Sequence, residues 1–195
     1  MGARIDASAS RRSSTYPRGM FRRTARRCPM PVPRCTRHAV GMASPRLQIG
    51  RHSVQGALYV VTATTYGRVP WLQDPLYARI VRHEIEACER HGWLRSQAWV
   101  LLPDQLHWLF ELRAPMLGQV MQTFKSQSAC AIRGRARGAG SIWQPGYADR
   151  RLRRDDDLAD QVRDLVAQPL RTGLVERLRD HAHWWARDID TVTGL

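Results

Sequence analysis

At 195 residues the chain is long enough for one domain with a hydrophobic core and an additional tail. Its formal net charge of +14 at pH 7 indicates a polyanionic partner, and nucleic acid before any other. No apolar run approaches the roughly 18 residues of a membrane span, and the N-terminus lacks the apolar segment of a secretory signal.

Residues 1–41 hold ten arginines and one acidic residue, so most of the charge excess lies in this leader. Its Arg, Ser and Pro content predicts disorder and a segment that is dispensable for folding. Three interpretations stay open: an arm that tracks nucleic acid, an organelle transit peptide, or a start codon assigned too far upstream. We favour the third, and we place the domain at residues 50–187 with a tail at residues 188–195.

The four cysteines, Cys28, Cys35, Cys88 and Cys130, follow no spacing that is typical of a zinc site. Cys88 and Cys130 fall at apolar helix positions, and we interpret them as small core residues. Because free thiols are the default of a reducing compartment, we expect a cytoplasmic protein.

The sequence of the first half of the domain predicts a strand, a helix and a hairpin. The run from Leu58 to Thr65 is apolar and β-branched, which favours a central strand, and Gly67-Arg68 then turns the chain. Asp74-Pro75 is typical of a helix start, and Gly92 marks its end. The apolar positions of this helix are Leu76, Ile80, Val81, Ile85 and Cys88. The hairpin follows, with strands at residues 96–102 and 106–112 and a corner at Pro103-Asp104.

The second half predicts a helix, a strand and a last helix. The second helix opens at Pro115, and residues 142–147 predict a strand with Trp143 as its anchor. Asp155-Asp156-Asp157 caps the last helix, which Pro169 ends. The expected buried positions of the two helices are Met116, Leu117, Val120, Met121 and Phe124, then Leu158, Val162, Leu165 and Val166. The order of elements predicts an α+β domain with an antiparallel sheet flanked by helices.

Gln105 and His107 are the most informative pair in the sequence. They lie two residues apart on the second strand of the hairpin, so their side chains point to the same face of the sheet. Leu106 and Trp108 point to the other face. A polar pair on one face of an otherwise apolar hairpin indicates a functional site.

The hairpin from Pro103 to Phe110 resembles the Pro-Asn-His-hydrophobic-His segment of the HUH single-tyrosine transposases, in particular the REP-associated tyrosine transposases. Ala57–Thr62 resembles the first strand of that family, Ser141–Arg150 its Trp-Gln segment, and Asp164–Val175 its Tyr-Ile-x-x-Asn-Pro-x-x-x-Gly-x-Val block. Met42–Arg46 resembles the usual opening of these transposases, which is why we favour a start codon assigned too far upstream. The resemblance implies a ferredoxin-like HUH fold.

In that family two histidines hold a divalent metal, and a tyrosine on a C-terminal helix attacks a DNA phosphodiester. This chain has Gln105 at the first histidine, Asp104 at the preceding Asn, Asp164 at the tyrosine and Gln168 at the Asn before the proline. Gln105 and His107 could still bind Mg²⁺ or Mn²⁺ weakly through an amide oxygen and an imidazole. The plainer interpretation, which we favour, is a leftover His107 that is hydrogen-bonded within the sheet.

Asp164 cannot replace the nucleophile, because a carboxylate repels the phosphate and forms no stable ester with DNA. It is interpreted either as a metal ligand or, more simply, as an exposed helix carboxylate. No tyrosine follows Tyr147. The resemblance therefore implies a transposase-like protein in which no catalytic set is intact.

The segments that face DNA in the family keep their basic residues. The expected DNA contacts are Lys125, Arg133, Arg135, Arg137, Arg150, Arg151, Arg153 and Arg154. Trp143 and Tyr147 are candidates for stacking on bases. The alternative is an ordinary solvated basic surface.

We therefore expect a bacterial mobile-element protein that binds single-stranded or hairpin DNA and no longer cuts it. One alternative is an active, metal-dependent DNA strand-transferase with a rearranged site. Another is the product of a decaying transposase open reading frame that folds poorly, which a thermal melt would reveal.

Overall fold

Five strands form one antiparallel sheet in the computed structural model, which describes residues 53–136, 138–153 and 155–192. The strands are β1 (Leu58–Thr64), β2 (Leu94–Leu102), β3 (Gln105–Leu112), β4 (Ala148–Arg151) and β5 (Trp184–Ala186). Their order across the sheet is β4-β1-β3-β2-β5, so the predicted hairpin β2–β3 lies at its centre. The predicted leader, Arg137 and Arg154 lie outside the described residues.

Four helices connect and cover these strands. They are α1 (Pro75–Arg90), α2 (Leu117–Arg133), α3 (Leu158–Val166) and the short α4 (Gln168–Arg171). Asp74 and Asp157 start α1 and α3 as predicted, because each carboxylate accepts a hydrogen bond from an amide of the first turn. Gly92, with φ of +72°, follows the end of α1 in a conformation that favours glycine.

The order β1-α1-β2-β3-α2-β4 with neighbours β4-β1-β3-β2 is the ferredoxin-like arrangement, so the predicted fold class is confirmed. Helices α1 and α2 pack on one face of the sheet, which we call the helix-pair face, around Trp108, Phe110 and Phe124. Helix α3 packs on the opposite face, the α3 face, with Val100 and Leu109 beneath it.

One strand prediction needs correction, and one strand lies outside the predicted elements. Residues 142–147 contribute only one isolated bridge, Thr65 with Trp143, and the strand β4 begins at Ala148. Pro145 and Gly146, whose φ is +73°, interrupt the extended backbone before it can pair with β1. Beyond the last predicted helix, Trp184 and Trp185 form most of β5, which extends the sheet beside β2.

Three predicted core positions lie at the surface: Leu76, Met116 and Leu158 are 37%, 53% and 36% exposed. Each lies in or next to the first turn of its helix. The remaining predicted positions of α2 and α3 are buried. Val192 is also buried on the α3 face, so packed chain continues past the predicted domain boundary at residue 187.

None of the helices in the described part of the chain is both long and apolar enough to cross a bilayer.

Candidate functional site

The candidate site begins with the β2–β3 hairpin, whose turn consists of Pro103 and Asp104. β3 pairs with β1 so that Thr62 lies opposite His107 and Thr64 opposite Gln105. Leu109 belongs to the core under α3, and residues two apart on a strand share a face. Thr62, Gln105 and His107 therefore form a polar row on the α3 face, as the alternation predicted for Gln105 and His107.

His107 uses both ring nitrogens within this row. The Thr62 hydroxyl lies 3.0 Å from Nδ1, and Gln105 Oε1 lies 3.2 Å from Nε2. The neutral tautomer with hydrogen on Nε2 satisfies both contacts, because Thr62 then donates to Nδ1 and Nε2 donates to Gln105. Burial lowers the pKa of His107, and the nearby Asp104 carboxylate opposes that shift only in part. The imidazole is therefore a neutral group hydrogen-bonded within the sheet.

This arrangement does not fit a metal ion. A hard divalent cation needs about six ligands, most of them oxygens. The Gln105 oxygen faces the imidazole, and the Asp104 carboxylate forms an ion pair with Arg68 at 2.9 Å. Across the described ranges, no group of three His, Cys, Asp or Glu side chains is arranged to hold a metal.

Asp164, which the resemblance implied to stand in place of a tyrosine, lies on the exposed side of α3. Its carboxylate accepts a hydrogen bond from Arg171, and both side chains are more than half exposed. The side-chain amide of Gln168 donates to the Asp164 backbone carbonyl at 3.3 Å, which ties α4 to the end of α3. The geometry agrees with the plainer of the two interpretations, an exposed helix carboxylate.

Lys125 does not extend into solvent as a phosphate contact would. Its ammonium group donates hydrogen bonds to the backbone carbonyls of Gln144 and Gly146. Burial lowers the pKa of Lys125 to about 8. The side chain therefore fastens the segment that leads into β4 onto α2, whereas we had predicted a DNA contact.

The Trp143 ring is likewise unavailable for the predicted stacking on bases. It is only 6% exposed, and its indole N–H donates to the Ser128 hydroxyl at 3.0 Å. Ser128 in turn donates to the Phe124 carbonyl at 2.7 Å, so the indole is fixed to α2. Tyr147 is half-buried and packs against the same core. Trp143 is thus the anchor that the sequence predicted, but it offers no face to DNA in this structure.

The predicted arginine contacts separate into two groups. Arg133 and Arg135 are exposed at the C-terminal end of α2, while Arg151 and Arg153 are exposed at and just after β4. Within the described residues, no ion pair involves any of these four. Arg150 differs, because it contacts Asp156 at 3.4 Å and the Gln161 side chain on α3.

These two groups lie toward different ends of the sheet. The start of α2 is held by Ser53, whose hydroxyl accepts from the Leu117 amide, and Arg151 pairs with Tyr59 near that end. α2 then runs 17 residues, or about 25 Å, so that Arg133 and Arg135 lie near the other end. That end carries the Pro103-Asp104 turn and the polar row, with the bridge between Thr65 and Trp143 beside them.

No protein-family model matches the chain. It is 24% identical over 134 residues to the REP-associated tyrosine transposase of Escherichia coli K12, and the match covers 67% of this chain and 76% of that protein. A REP-associated tyrosine transposase solved bound to a REP hairpin has the same fold, with a TM-score of 0.59 and 23% identity. That match covers 74% of this chain and 92% of the solved one. The chain is thus related in sequence and in fold to the REP-associated tyrosine transposases, as its four motifs predicted.

Proposed function

We propose that this transposase-family protein binds hairpin or single-stranded DNA in the bacterial cytoplasm without cutting it. The observation that carries the proposal is its likeness, over 74% of the chain, to a protein whose structure contains a REP hairpin. The exposed, unneutralised arginines of the domain are consistent with a phosphate-rich partner.

The absence of cutting follows from the chemistry of two positions. Attack on a phosphodiester needs a nucleophile, and the phosphorus is shielded by negative oxygens, which the family's metal neutralises. Asp164 supplies a carboxylate that is already paired with Arg171, and Gln105 supplies an amide that already accepts from His107. Neither group can take over the role of the residue that the family has there.

The donor set also suggests that Mg²⁺ or Mn²⁺ binds weakly or not at all. Gln105 and His107 face one another, and no carboxylate of the described chain joins them. Isothermal titration of Mn²⁺ into the protein tests this point directly. Tight binding that Gln105→Ala or His107→Ala abolishes would contradict it.

Binding is tested with a fluorescent single-stranded hairpin and fluorescence anisotropy over a series of salt concentrations. Alanine at Arg133, Arg135, Arg151 and Arg153 together should weaken binding. Each lost phosphate contact should reduce the salt slope by about 0.7 on single strands. The matched control changes Arg95 and Arg179 to alanine, since both are exposed and lie elsewhere on the fold. The control removes half as many charges, so half the loss of affinity in the control would show that binding is unspecific attraction to net charge.

Cutting is tested with the same hairpin on a denaturing gel, read for cleaved strand and for protein-linked DNA. The unmodified protein should give neither in Mg²⁺ or Mn²⁺. We expect Asp164→Tyr alone to restore a trace of cleavage at high Mn²⁺, because excess metal compensates for a weak ligand and nothing compensates for an absent nucleophile. We expect Gln105→His alone to restore nothing and the double variant to restore the most. A covalent adduct with the unmodified protein would instead favour the active enzyme with a rearranged site.

A further inference from the structure

The turn from Tyr66 to Val69 has an unusual backbone. Gly67 and Arg68 follow one another with φ of +63° and +55°, and the Val69 amide donates to the Tyr66 carbonyl at 3.4 Å. Two consecutive left-handed residues form a tight turn that strongly favours Gly, Asn or Asp. Arg68 is the one described residue other than glycine with a positive φ. An arginine that is kept in a conformation with a steric cost suggests a use for its side chain.

Tyr66 and Arg68 both extend from this turn into solvent. Tyr66 is 55% exposed, whereas Tyr59 is buried and Tyr77 and Tyr147 are half-buried. The Arg68 side chain is 64% exposed. An exposed aromatic ring two residues away from an exposed guanidinium is the combination that single-strand binders use for a base and its phosphate.

The backbone beneath the two side chains is rigid. The Tyr66 amide donates to the Ile142 carbonyl at 2.8 Å, and the Thr65 amide donates to the Asp104 carbonyl at 2.9 Å. Thr65 is fully buried, and its hydroxyl donates to the Val69 carbonyl at 2.7 Å. The turn is therefore fixed to the β2–β3 hairpin on one side and to the segment before β4 on the other. A ring that extends from a fixed backbone loses less conformational entropy on stacking than one on a mobile loop.

The turn also lies at the end of the sheet where cations and the polar row come together. Thr64, the last residue of β1, lies opposite Gln105. Ile142, which holds the Tyr66 amide, follows the loop that begins after Arg133 and Arg135. Asp104 contacts the Arg68 Nε at 2.9 Å, which orients the guanidinium while its two terminal amino groups keep four donors for another acceptor.

We propose that the Tyr66–Val69 turn binds one unpaired nucleotide of the DNA, with the base stacked on the Tyr66 ring and its phosphate on the Arg68 guanidinium. This inference rests on the proposed DNA binding and deepens it. It replaces Trp143, which is buried, as the stacking residue of the domain.

The first test measures hairpin binding by the full chain with Tyr66→Ala and Tyr66→Phe. Tyr66→Ala should weaken binding on the order of ten-fold, and Tyr66→Phe should stay within about two-fold because phenylalanine keeps the π-face. The probes are a hairpin with an unpaired loop and a fully paired duplex of the same length. The alanine variant should lose affinity for the first and not for the second. An equal loss on both, or no loss on either, overturns the proposal.

A second test reads stacking directly. The hairpin carries 2-aminopurine at one unpaired position at a time, and stacking on a tyrosine quenches its fluorescence. One position should be quenched by the unmodified protein and by Tyr66→Phe but not by Tyr66→Ala. If no position behaves in this way although the protein binds the hairpin, the nucleotide is not held by this turn, and the proposed function stands without it. If the unmodified protein binds no DNA, both ideas fail.

Arg68→Asn separates binding from stability. Asparagine tolerates the left-handed conformation, so the melting temperature should stay unchanged or rise. The salt slope of single-strand binding should fall by about 0.7, because one phosphate contact is lost. Arg179→Asn is the control, with no change in slope. A lower melting temperature with an unchanged slope would show that Arg68 serves only the ion pair with Asp104 and would overturn its role here.

Discussion

The two faces of the sheet differ in what they bury. Within the described residues, the helix-pair face gathers 23 buried hydrophobic residues, including Trp108, Phe110 and Phe124, whereas the α3 face gathers ten and no aromatic ring among them. The polar row of Thr62, Gln105 and His107 lies on this second face. Successive side chains of β3 therefore serve different purposes. Those on the helix-pair face stabilise the fold, whereas those on the α3 face can be substituted without disturbing the larger core.

This division accounts for an intact fold around the two positions. A substitution at Gln105 or Asp164 touches no residue of the larger core, because both side chains lie on or over the α3 face. Gln105 and Asp164 stand where the resemblance implies a histidine and a tyrosine, yet the sheet order is complete and Asp74 and Asp157 cap α1 and α3. Residues on the α3 face can therefore vary while the fold stays the same.

The largest expected effect compares one buried residue from each face. Phe124→Ala should lower the free energy of unfolding by about 4 kcal/mol, because it empties the centre of the larger core. Leu165→Ala should lower the free energy of unfolding by about 2 kcal/mol, at the low end for a buried Leu→Ala change. The reason is that Leu165 lies in the smaller core, where fewer buried side chains surround it. Urea unfolding followed by circular dichroism measures both. An equal loss of unfolding free energy in both variants would contradict the idea that the helix-pair face contributes more to stability than the α3 face.

A smaller effect concerns Lys125, which we assign to the fold rather than to DNA. Lys125→Met keeps the buried stem but leaves the Gln144 and Gly146 carbonyls without their donor. The free energy of unfolding should fall by about 1–3 kcal/mol. The salt slope of single-strand binding should not change. A slope reduced by about 0.7 with unchanged stability would return Lys125 to the DNA contacts.

An effect of similar or smaller size is expected for the indole of Trp143. Ser128→Ala removes the acceptor of its buried N–H at 3.0 Å, so unfolding should become easier by about 1–2 kcal/mol. DNA affinity should be unchanged, because neither side chain reaches the surface. Thermal melts measure the loss of stability, and fluorescence anisotropy on the same samples measures the DNA affinity. Weaker binding at equal stability would indicate that the ring does contact a base.

The smallest expected effect concerns acid. Burial lowers the pKa of His183, with further lowering from His181 and Arg82, so below its ordinary value of 6.5 the unfolded chain binds a proton that the folded chain does not. The stability that this group contributes is present above pH 6.5 and is lost as the pH falls toward its lowered pKa. His183→Gln should therefore flatten the fall in stability between about pH 7 and pH 5. His83→Gln, which changes an exposed histidine, should not.

Much of the fold could be predicted because its signals are local. Asp74-Pro75, Asp157 and the alternation around His107 each specify a conformation within a few residues. The site was harder, because its contacts join distant segments. The ammonium of Lys125 meets carbonyls 19 and 21 residues away, and Arg68 meets Asp104 across the end of the sheet. Nothing in the sequence near Lys125 indicates a buried amine. Gly67-Arg68 indicated a turn, but not that Arg68 would contact Asp104.

The outer strands of the sheet limit how copies of the chain can meet. β4 has four residues and β5 has three, whereas β1, β2 and β3, with seven to nine, are paired on both sides. β4 also carries Asp149, Arg150 and Arg151. A neighbouring molecule that tried to add a strand would find few backbone groups to pair and charged side chains in its way. The domain is therefore poorly suited to edge-to-edge aggregation, even at the high local concentration that gathering on DNA would create.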